Sequence, residues 1–108
     1  MTETLAARVL HMAELVNYQD GAVVSRTLIN QKTGTVTLFA FDAGQELSEH
    51  TAAYDALAQV LDGETEIAIA GQPYRLQTGD AIIMPANDPH AVKALTKFKM
   101  MLTMIRSS

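Results

Sequence analysis

Residues 44–63 have the sequence GQELSEHTAAYDALAQVLDG, which starts and ends with glycine and contains one histidine, His50. A second stretch, residues 79–90, reads GDAIIMPANDPH; it also starts with glycine, and it ends in His90. Short apolar runs bounded by glycine, proline and asparagine are typical of β-strands joined by turns. Each stretch therefore predicts a strand region with one histidine at its end.

Glycines recur along the chain at the spacing of turns between short strands. They lie at positions 21, 34, 44, 63, 71 and 79. Residues 23–30 and 35–39 are rich in β-branched side chains, and a hairpin turn at Thr33 and Gly34 joins them. Residues 98–105 are apolar on both faces of a strand. One face is expected to fill the interior, and the other to contact a second subunit.

Composition and charge predict a single soluble domain. The chain has 108 residues, of which 48% are hydrophobic and 19% charged, and its net charge is −4. Its few Lys and Arg residues are scattered, so we expect no nucleic-acid binding. The absence of cysteine excludes disulfides and thiolate metal sites and fits a cytoplasmic location. No apolar run approaches the roughly 20 residues that span a bilayer, so we expect no membrane association.

Residues 48–63 also carry a helical signal. Ser48 suits a helix N-cap, several alanines follow, and Gly63 suits a C-cap. Local propensity alone therefore predicts a helix here. The resemblance described next predicts strands instead, and we follow it because tertiary context often overrides propensity.

The two histidine stretches resemble the paired sequence motifs of the cupin superfamily. The matched residues are Gly44, His50 and Gly63 in the first motif and Gly79, Pro85 and His90 in the second. Asn87 stands where the second motif has glycine, and Ala94 stands where it has asparagine. The motifs cover about half of the chain, and the strand pattern on both sides agrees with them.

This resemblance implies an all-β fold, namely an antiparallel double-stranded β-helix, or jelly-roll barrel, with a pocket at one mouth. Residues 21–108 would form this single cupin barrel domain. Residues 1–20 would form an N-terminal arm that packs on the barrel or on a dimer partner. Members of the superfamily are often dimers, so a homodimer is expected.

The resemblance also implies a metal site, of which this chain retains half. Metal-binding cupins use three histidines and one glutamate. Carried over by motif position, the first and third histidines are His50 and His90, whereas Ala52 and Ala56 occupy the other two positions. An alanine side chain offers no lone pair to a metal. The expected cofactor is therefore either none or one divalent transition metal.

A third ligand would be needed to complete a facial site of two histidines and one carboxylate. Asp55 is one residue from the vacant glutamate position, and Glu49 lies just upstream of His50. Strand alternation points Asp55 to the opposite face unless a bulge intervenes. Both carboxylates remain candidates.

His50 and His90 are the candidate ligand-binding residues, and Tyr54, Met84 and Phe39 are candidates for the pocket wall. For these last three, the alternative is ordinary barrel core. The first hypothesis is a homodimeric cupin that binds a small organic molecule beside an incomplete metal site. The alternative is a metal-dependent enzyme with a reduced ligand set, such as an oxygenase, isomerase or decarboxylase acting on a small organic acid. The sequence assigns no catalytic residue and leaves open whether the protein is an enzyme.

Overall fold

The computed structural model describes residues 5–106, and these form an all-β barrel of two antiparallel sheets preceded by one short 3-10 helix, Met12–Glu14. In this part of the chain the strands are β1 (Val23–Gln31), β2 (Gly34–Phe41), β3 (Glu46–His50), β4 (Ala56–Asp62), β5 (Glu64–Ile69), β6 (Gln72–Gln77), β7 (Ala81–Met84), β8 (His90–Ala94) and β9 (Phe98–Ile105).

The strands alternate between two sheets in the manner of a jelly roll. One sheet has the order β1-β2-β9-β4-β7, and the other has the order β3-β8-β5-β6. Neighbouring strands are antiparallel throughout, although many come from distant parts of the chain. The predicted fold class, an all-β antiparallel jelly-roll barrel, is confirmed.

The alanine-rich stretch forms strands rather than a helix. Ala56, Ala58 and Val60 of β4 are buried, and the residues between them are half-buried, which is the two-residue period of a strand. β4 pairs with β7 along one edge and with β9 along the other. These two ladders satisfy its backbone groups, so tertiary pairing outweighs the local helical preference.

The inner faces of the two sheets enclose one core. The rings of Phe41 and Phe98 stack with their centroids 4.5 Å apart, and both residues are fully buried. Ile67 reaches the same core from the second sheet, and Met100 continues it along β9. Aromatic pairs at this spacing add to the stability that their buried area provides. They fill the end of the barrel at which β4 turns into β5.

A second apolar cluster lies on the outer face of the five-stranded sheet. Val16, from the segment before β1, is buried against Leu38 and Ala40 of β2, and Met101 of β9 packs on the same cluster. The outward face of β9, which was expected to contact another subunit, is therefore partly covered by the protein's own N-terminal segment. The domain boundary at residue 20 and the packing of residues 1–20 on a partner stay predictions, and residues 1–4 lie outside the described residues.

Polar contacts attach this N-terminal segment to the sheet. The Tyr18 hydroxyl donates a hydrogen bond to the Asp62 carboxylate, and the Lys99 ammonium donates to the carbonyl of Ala13. The Lys99 ammonium also lies 4.8 Å from the centre of the Tyr18 ring. Burial first, and then the hydrogen bond and charge of Asp62, raise the pKa of Tyr18 above its ordinary value. The hydroxyl therefore keeps the proton that it donates.

Gly63 is the point at which the chain passes from β4 in one sheet to β5 in the other. Its φ is +81°, in the left-handed region that favours glycine. A Cβ at this position would lie 2.0 Å from the carbonyl oxygen of Lys97 and 2.9 Å from the Cα of Phe98. Only glycine fits here without moving the backbone of the segment that leads into β9.

We predict that Gly63→Ala is much more destabilising than Gly71→Ala. Gly71 has the same φ of +81°, but a Cβ there would meet no atom within 4 Å. Gly71→Ala should therefore cost only the strain of the left-handed conformation, about 1–2 kcal/mol. Gly63→Ala should cost roughly 1–3 kcal/mol more, because the neighbouring backbone must shift. Urea unfolding followed by circular dichroism measures both, and equal losses would show that the close approach at Gly63 does not matter.

Candidate functional site

Two loops, β3–β4 and β7–β8, carry the chain between the sheets at the end of the barrel opposite Gly63. The backbone N–H of Asn87 donates a hydrogen bond of 2.7 Å to the carbonyl of Ala52. The backbone N–H of Ala86 donates one of 2.8 Å to the Asp55 carboxylate. Because these bonds join one loop to the other, they fix the shape of this end of the barrel.

His50 ends β3 and His90 begins β8, and the two residues are paired across the sheet. Their Nε2 atoms are 3.1 Å apart, with ring centroids 4.3 Å apart and ring planes inclined at 69°. His90 is only 5% exposed, whereas His50 faces solvent. The pair therefore extends from the buried inner wall, where His90 lies, to the open end of the barrel, where His50 lies.

A β-bulge directs His50 toward His90. Leu47 pairs with Val92 and His50 with His90, so three steps along β3 match two steps along β8. Strict alternation would place Leu47 and His50 on opposite faces of the sheet. The extra residue in β3 restores His50 to the inner side, where Leu47 packs against the core. Sequence reasoning missed this bulge, because the alternation of a strand gives no sign of an added residue.

Backbone carbonyls determine which nitrogen of each imidazole carries the proton. Nδ1 of His50 lies 2.8 Å from the carbonyl oxygen of Ser48, and Nδ1 of His90 lies 3.3 Å from that of Asp88. A carbonyl oxygen can only accept, so each Nδ1 must donate. A neutral imidazole has a single N–H, and both Nε2 atoms are then unprotonated acceptors. The two Nε2 atoms nevertheless lie 3.1 Å apart, which is a hydrogen-bond distance, so their contact needs a proton, a metal ion or a ligand's donor group.

The two imidazoles can be compared with the metal site that the fold family implies. A metal bound 2.0–2.1 Å from each Nε2 would subtend an angle of about 95–100° at the observed separation, which suits two adjacent coordination positions. Donation of Nδ1 to a carbonyl is also the usual way in which a ligating histidine is oriented. His50 and His90 therefore fit as two ligands of a metal, and they do not make a complete site.

The structure does not bring the predicted third ligands to the pair. The Asp55 carboxylate accepts the N–H of Ala86, and Glu49 lines a groove of about 410 Å³ together with Glu46 and Lys93. Within residues 5–106, no group of three His, Cys, Asp or Glu side chains is close enough to hold a metal ion.

The three candidate wall residues occupy different environments. Met84 is 2% exposed and belongs to the barrel core. Phe39 is half-buried and packs against that core from β2. Tyr54 is half-buried in the β3–β4 loop, next to Asp55. Their contact with a ligand stays a prediction, and the burial of Met84 agrees with the alternative interpretation as core.

The pKa of His90 is lowered, and burial is the main cause because it disfavours the charged ring. The hydrogen bond to the Asp88 carbonyl acts in the opposite direction, and a positive charge on His50 lowers the pKa further. His90 is therefore held in its neutral form over a wider pH range than an exposed histidine.

We predict that this lowered pKa makes the folded protein less stable in mild acid. In the unfolded chain His90 titrates near 6.5, so the unfolded state binds more protons as the pH falls below that value. The stabilisation is complete above about pH 6.5 and is lost as the pH falls toward the folded pKa. Urea unfolding at pH 7.5 and pH 5.0 should show a larger loss for the wild type than for His90→Asn. His11→Asn, at an exposed histidine, should behave as the wild type; an unchanged loss in His90→Asn would contradict the prediction.

Comparison with known proteins agrees with this architecture. Residues 37–106 match the family described as Cupin domain. A conserved protein of unknown function from Streptococcus pyogenes is 35% identical, with a TM-score of 0.90, and the match covers 94% of this chain and 90% of that one. A cupin superfamily protein from Desulfitobacterium hafniense is 27% identical, with a TM-score of 0.90 over 98% of this chain and 97% of that one.

A cupin 2 conserved barrel domain protein from Leptotrichia buccalis is 38% identical, with a TM-score of 0.87. The match covers 90% of this chain but only 47% of that longer protein. No protein with a curated description shows significant similarity. None of the helices formed by residues 5–106 has the length and apolar character needed to cross a membrane. The family match and the barrel topology together establish that the chain belongs to the cupin superfamily.

Proposed function

We propose that the protein is a homodimeric cupin of the cytoplasm that binds a small organic molecule at the open end of its barrel. The observation that carries the proposal is the His50–His90 pair, in which the two Nε2 atoms lie 3.1 Å apart while each Nδ1 lies near a backbone carbonyl oxygen. A bound molecule that supplies a donor would satisfy both nitrogens. The absence of cysteine supports the location.

Apolar side chains on the inner faces of the barrel also support the binding of an organic molecule. Leu47, Leu102 and Met104 are apolar, only partly buried, and packed against the core from both sheets. Ala52 and Ala56 add no polar atoms at the two remaining motif positions. Small-molecule sites are typically apolar concavities with a few well-placed polar groups.

A metal-dependent enzyme is the second candidate, and one observation favours it. The two Nε2 atoms have the separation of adjacent ligands, and each ring is oriented through Nδ1. His50 and His90 would hold the metal, and the metal would act as a Lewis acid toward a bound small organic acid. The carboxylate of that acid would occupy positions that Ala52 and Ala56 leave without ligands.

Metal analysis and ligand-dependent unfolding distinguish these two functions. We expect protein purified without an affinity tag to contain little metal and, after EDTA treatment, to be stabilised by some members of a panel of small alcohols, phenols and acids. Stabilisation should reach about 2.7 kcal/mol at a ligand concentration 100 times Kd. His50→Ala should abolish the response, whereas the exposed His11→Ala should retain it.

Near-stoichiometric iron, manganese or nickel that is lost in His50→Ala would favour the enzyme instead. An identical response of the wild type, His50→Ala and His90→Ala to every compound would overturn the proposed binding function.

The homodimer is supported by an exposed apolar row on the outer face of the five-stranded sheet. Cross-strand pairing links one residue from each strand in the order Ile29, Val36, Thr103, Leu57 and Ile83. Ile29 is 52% exposed and Ile83 is 61% exposed, and Ile105 beside the row is 66% exposed. Exposed apolar side chains that share one face of a sheet in this way mark interaction sites. We propose that a second copy of the chain covers it around a two-fold axis.

Light scattering should therefore give twice the chain mass of 11.7 kDa at micromolar concentration. Ile83→Asp should shift the protein to a monomer, because the dimer would bury an unpaired charge. Tyr74→Asp is the matched control, since Tyr74 is 42% exposed but lies on the four-stranded sheet. A wild-type monomer, or a dimer that survives Ile83→Asp and two further charges at Ile29 and Ile105, would refute this interface.

A further inference from the structure

We propose that each subunit of the dimer uses its N-terminal segment to complete the open end of its partner's barrel. The inference rests on the proposed homodimer and specifies how the two copies are arranged. It follows from two features of the outer face of the five-stranded sheet. Residues 12–18 cover one half of that face, and the other half carries the apolar row that runs from Ile29 to Ile83.

The N-terminal segment crosses the sheet in the half nearer Gly63. The carbonyl of Leu15 accepts a hydrogen bond from the Arg26 side chain of β1, and the Tyr18 hydroxyl donates one to Asp62 at the end of β4. Because β2 and β9 lie between β1 and β4, the segment spans four of the five strands. It therefore adds a layer of chain to this half of the outer face and leaves the half with the apolar row uncovered.

This added layer restricts how two copies can bring their apolar rows together. Sheets that pack face to face lie about 10 Å apart, a space that their side chains fill. In a symmetric pair the two-fold axis lies between the two sheets and runs closer either to the strand direction or to the row. An axis along the strands would place one N-terminal segment against the other and hold the rows apart. An axis along the row places the segments at opposite ends, so the rows can meet.

An axis along the row brings the N-terminal segment of one copy to the open end of the other. The cluster around Val16 includes Met101, which lies two residues, or about 7 Å, from Thr103 of the row on the side away from the open end. The axis reverses this displacement, so the partner's segment lies beside Ile105, two residues beyond Thr103. The N–H of Ile105 donates to the carbonyl of Asp55 in the β3–β4 loop, which belongs to the open end.

A hollow beside Ile105 suits an apolar side chain from the partner. Its volume is about 180 Å³, and Ile29 and Met104 also line it. Met104 packs against the barrel core, so the hollow adjoins the site proposed at the open end. Val9, in the same N-terminal segment, is 87% exposed, and Ile105 is 66% exposed. Insertion of Val9 into the partner's hollow removes both apolar side chains from water.

Cysteine cross-linking tests the arrangement, because the chain has no cysteine of its own. An axis along the row places Ile83 opposite Ile83 and Ile29 opposite Ile29. Ile83→Cys and Ile29→Cys should therefore each form a covalent dimer with a short bismaleimide. An axis along the strands would place Ile83 opposite Ile29, so only a mixture of the two variants would cross-link. Tyr74→Cys, on the four-stranded sheet, is the matched control and should not cross-link.

A nitroxide label at Val9→Cys tests the contact between the segment and the partner. Labelled chains of natural isotopic abundance are mixed with unlabelled wild-type chains that carry ¹³C in their methionine methyl groups. Broadening of a methyl signal then reports a contact between subunits. The label at Val9→Cys should broaden the Met104 signal severalfold more than the same label at Tyr74→Cys.

The outcomes separate this inference from the homodimer on which it rests. Cross-linking only in the mixture of variants, or at neither position, would overturn the arrangement and leave the dimer intact. A label at Val9→Cys that leaves the Met104 signal unchanged in a proven dimer would also overturn it. A wild-type monomer in light scattering would overturn both. Backbone NMR spectra of the wild-type kind guard against a folding defect in each cysteine variant.

Discussion

Two backbone carbonyls, those of Ser48 and Asp88, determine the chemistry at the open end of the barrel. By accepting the Nδ1 protons, they leave the two Nε2 atoms, which lie 3.1 Å apart, as the ring nitrogens available to a ligand. Neither Ser48 nor Asp88 is one of the matched motif residues, and each carbonyl lies two residues before its histidine in the chain. The histidine side chains supply the imidazoles, and their hydrogen bonds to the backbone determine which ring nitrogen can bind a ligand.

Much of the fold could be predicted from the sequence, because the glycines recur at the spacing of turns between short strands and the two histidine stretches resemble the cupin motifs. The strand at Ala56–Asp62 could be predicted only through the motif, since local propensity favours a helix there. The packing of Met101 against the cluster that contains Val16 could not be predicted, because it joins residues far apart in the chain whose separate patterns give no sign of the contact. The apolar outward face of a strand can indicate a contact with another subunit, but another segment of the same chain can cover it equally well.

The candidate site, like the fold, could be predicted only in part. Proximity of His50 and His90 was predictable from motif position, whereas the bulge that aligns them was not, because alternation counts residues and a bulge adds one. Asn87 occupies a motif glycine position and has a φ of +68°, a conformation that asparagine adopts more readily than most residues. The replacement of the motif glycine by asparagine therefore preserves the left-handed backbone conformation at this position. Asp55 was a candidate ligand by sequence distance alone, and its bond to Ala86 shows that it holds the two loops together.

The position of β9 has a consequence for synthesis of the protein on the ribosome. β9 (Phe98–Ile105) follows the other described strands in the chain, yet it lies between β2 and β4 in the middle of the five-stranded sheet. Until it emerges from the exit tunnel, β2 and β4 each present an unpaired edge, and the core lacks Phe98 and Met100. The nascent chain therefore remains incompletely folded until β9 has been synthesised, and during this interval the two strand edges and the open core are exposed to other molecules.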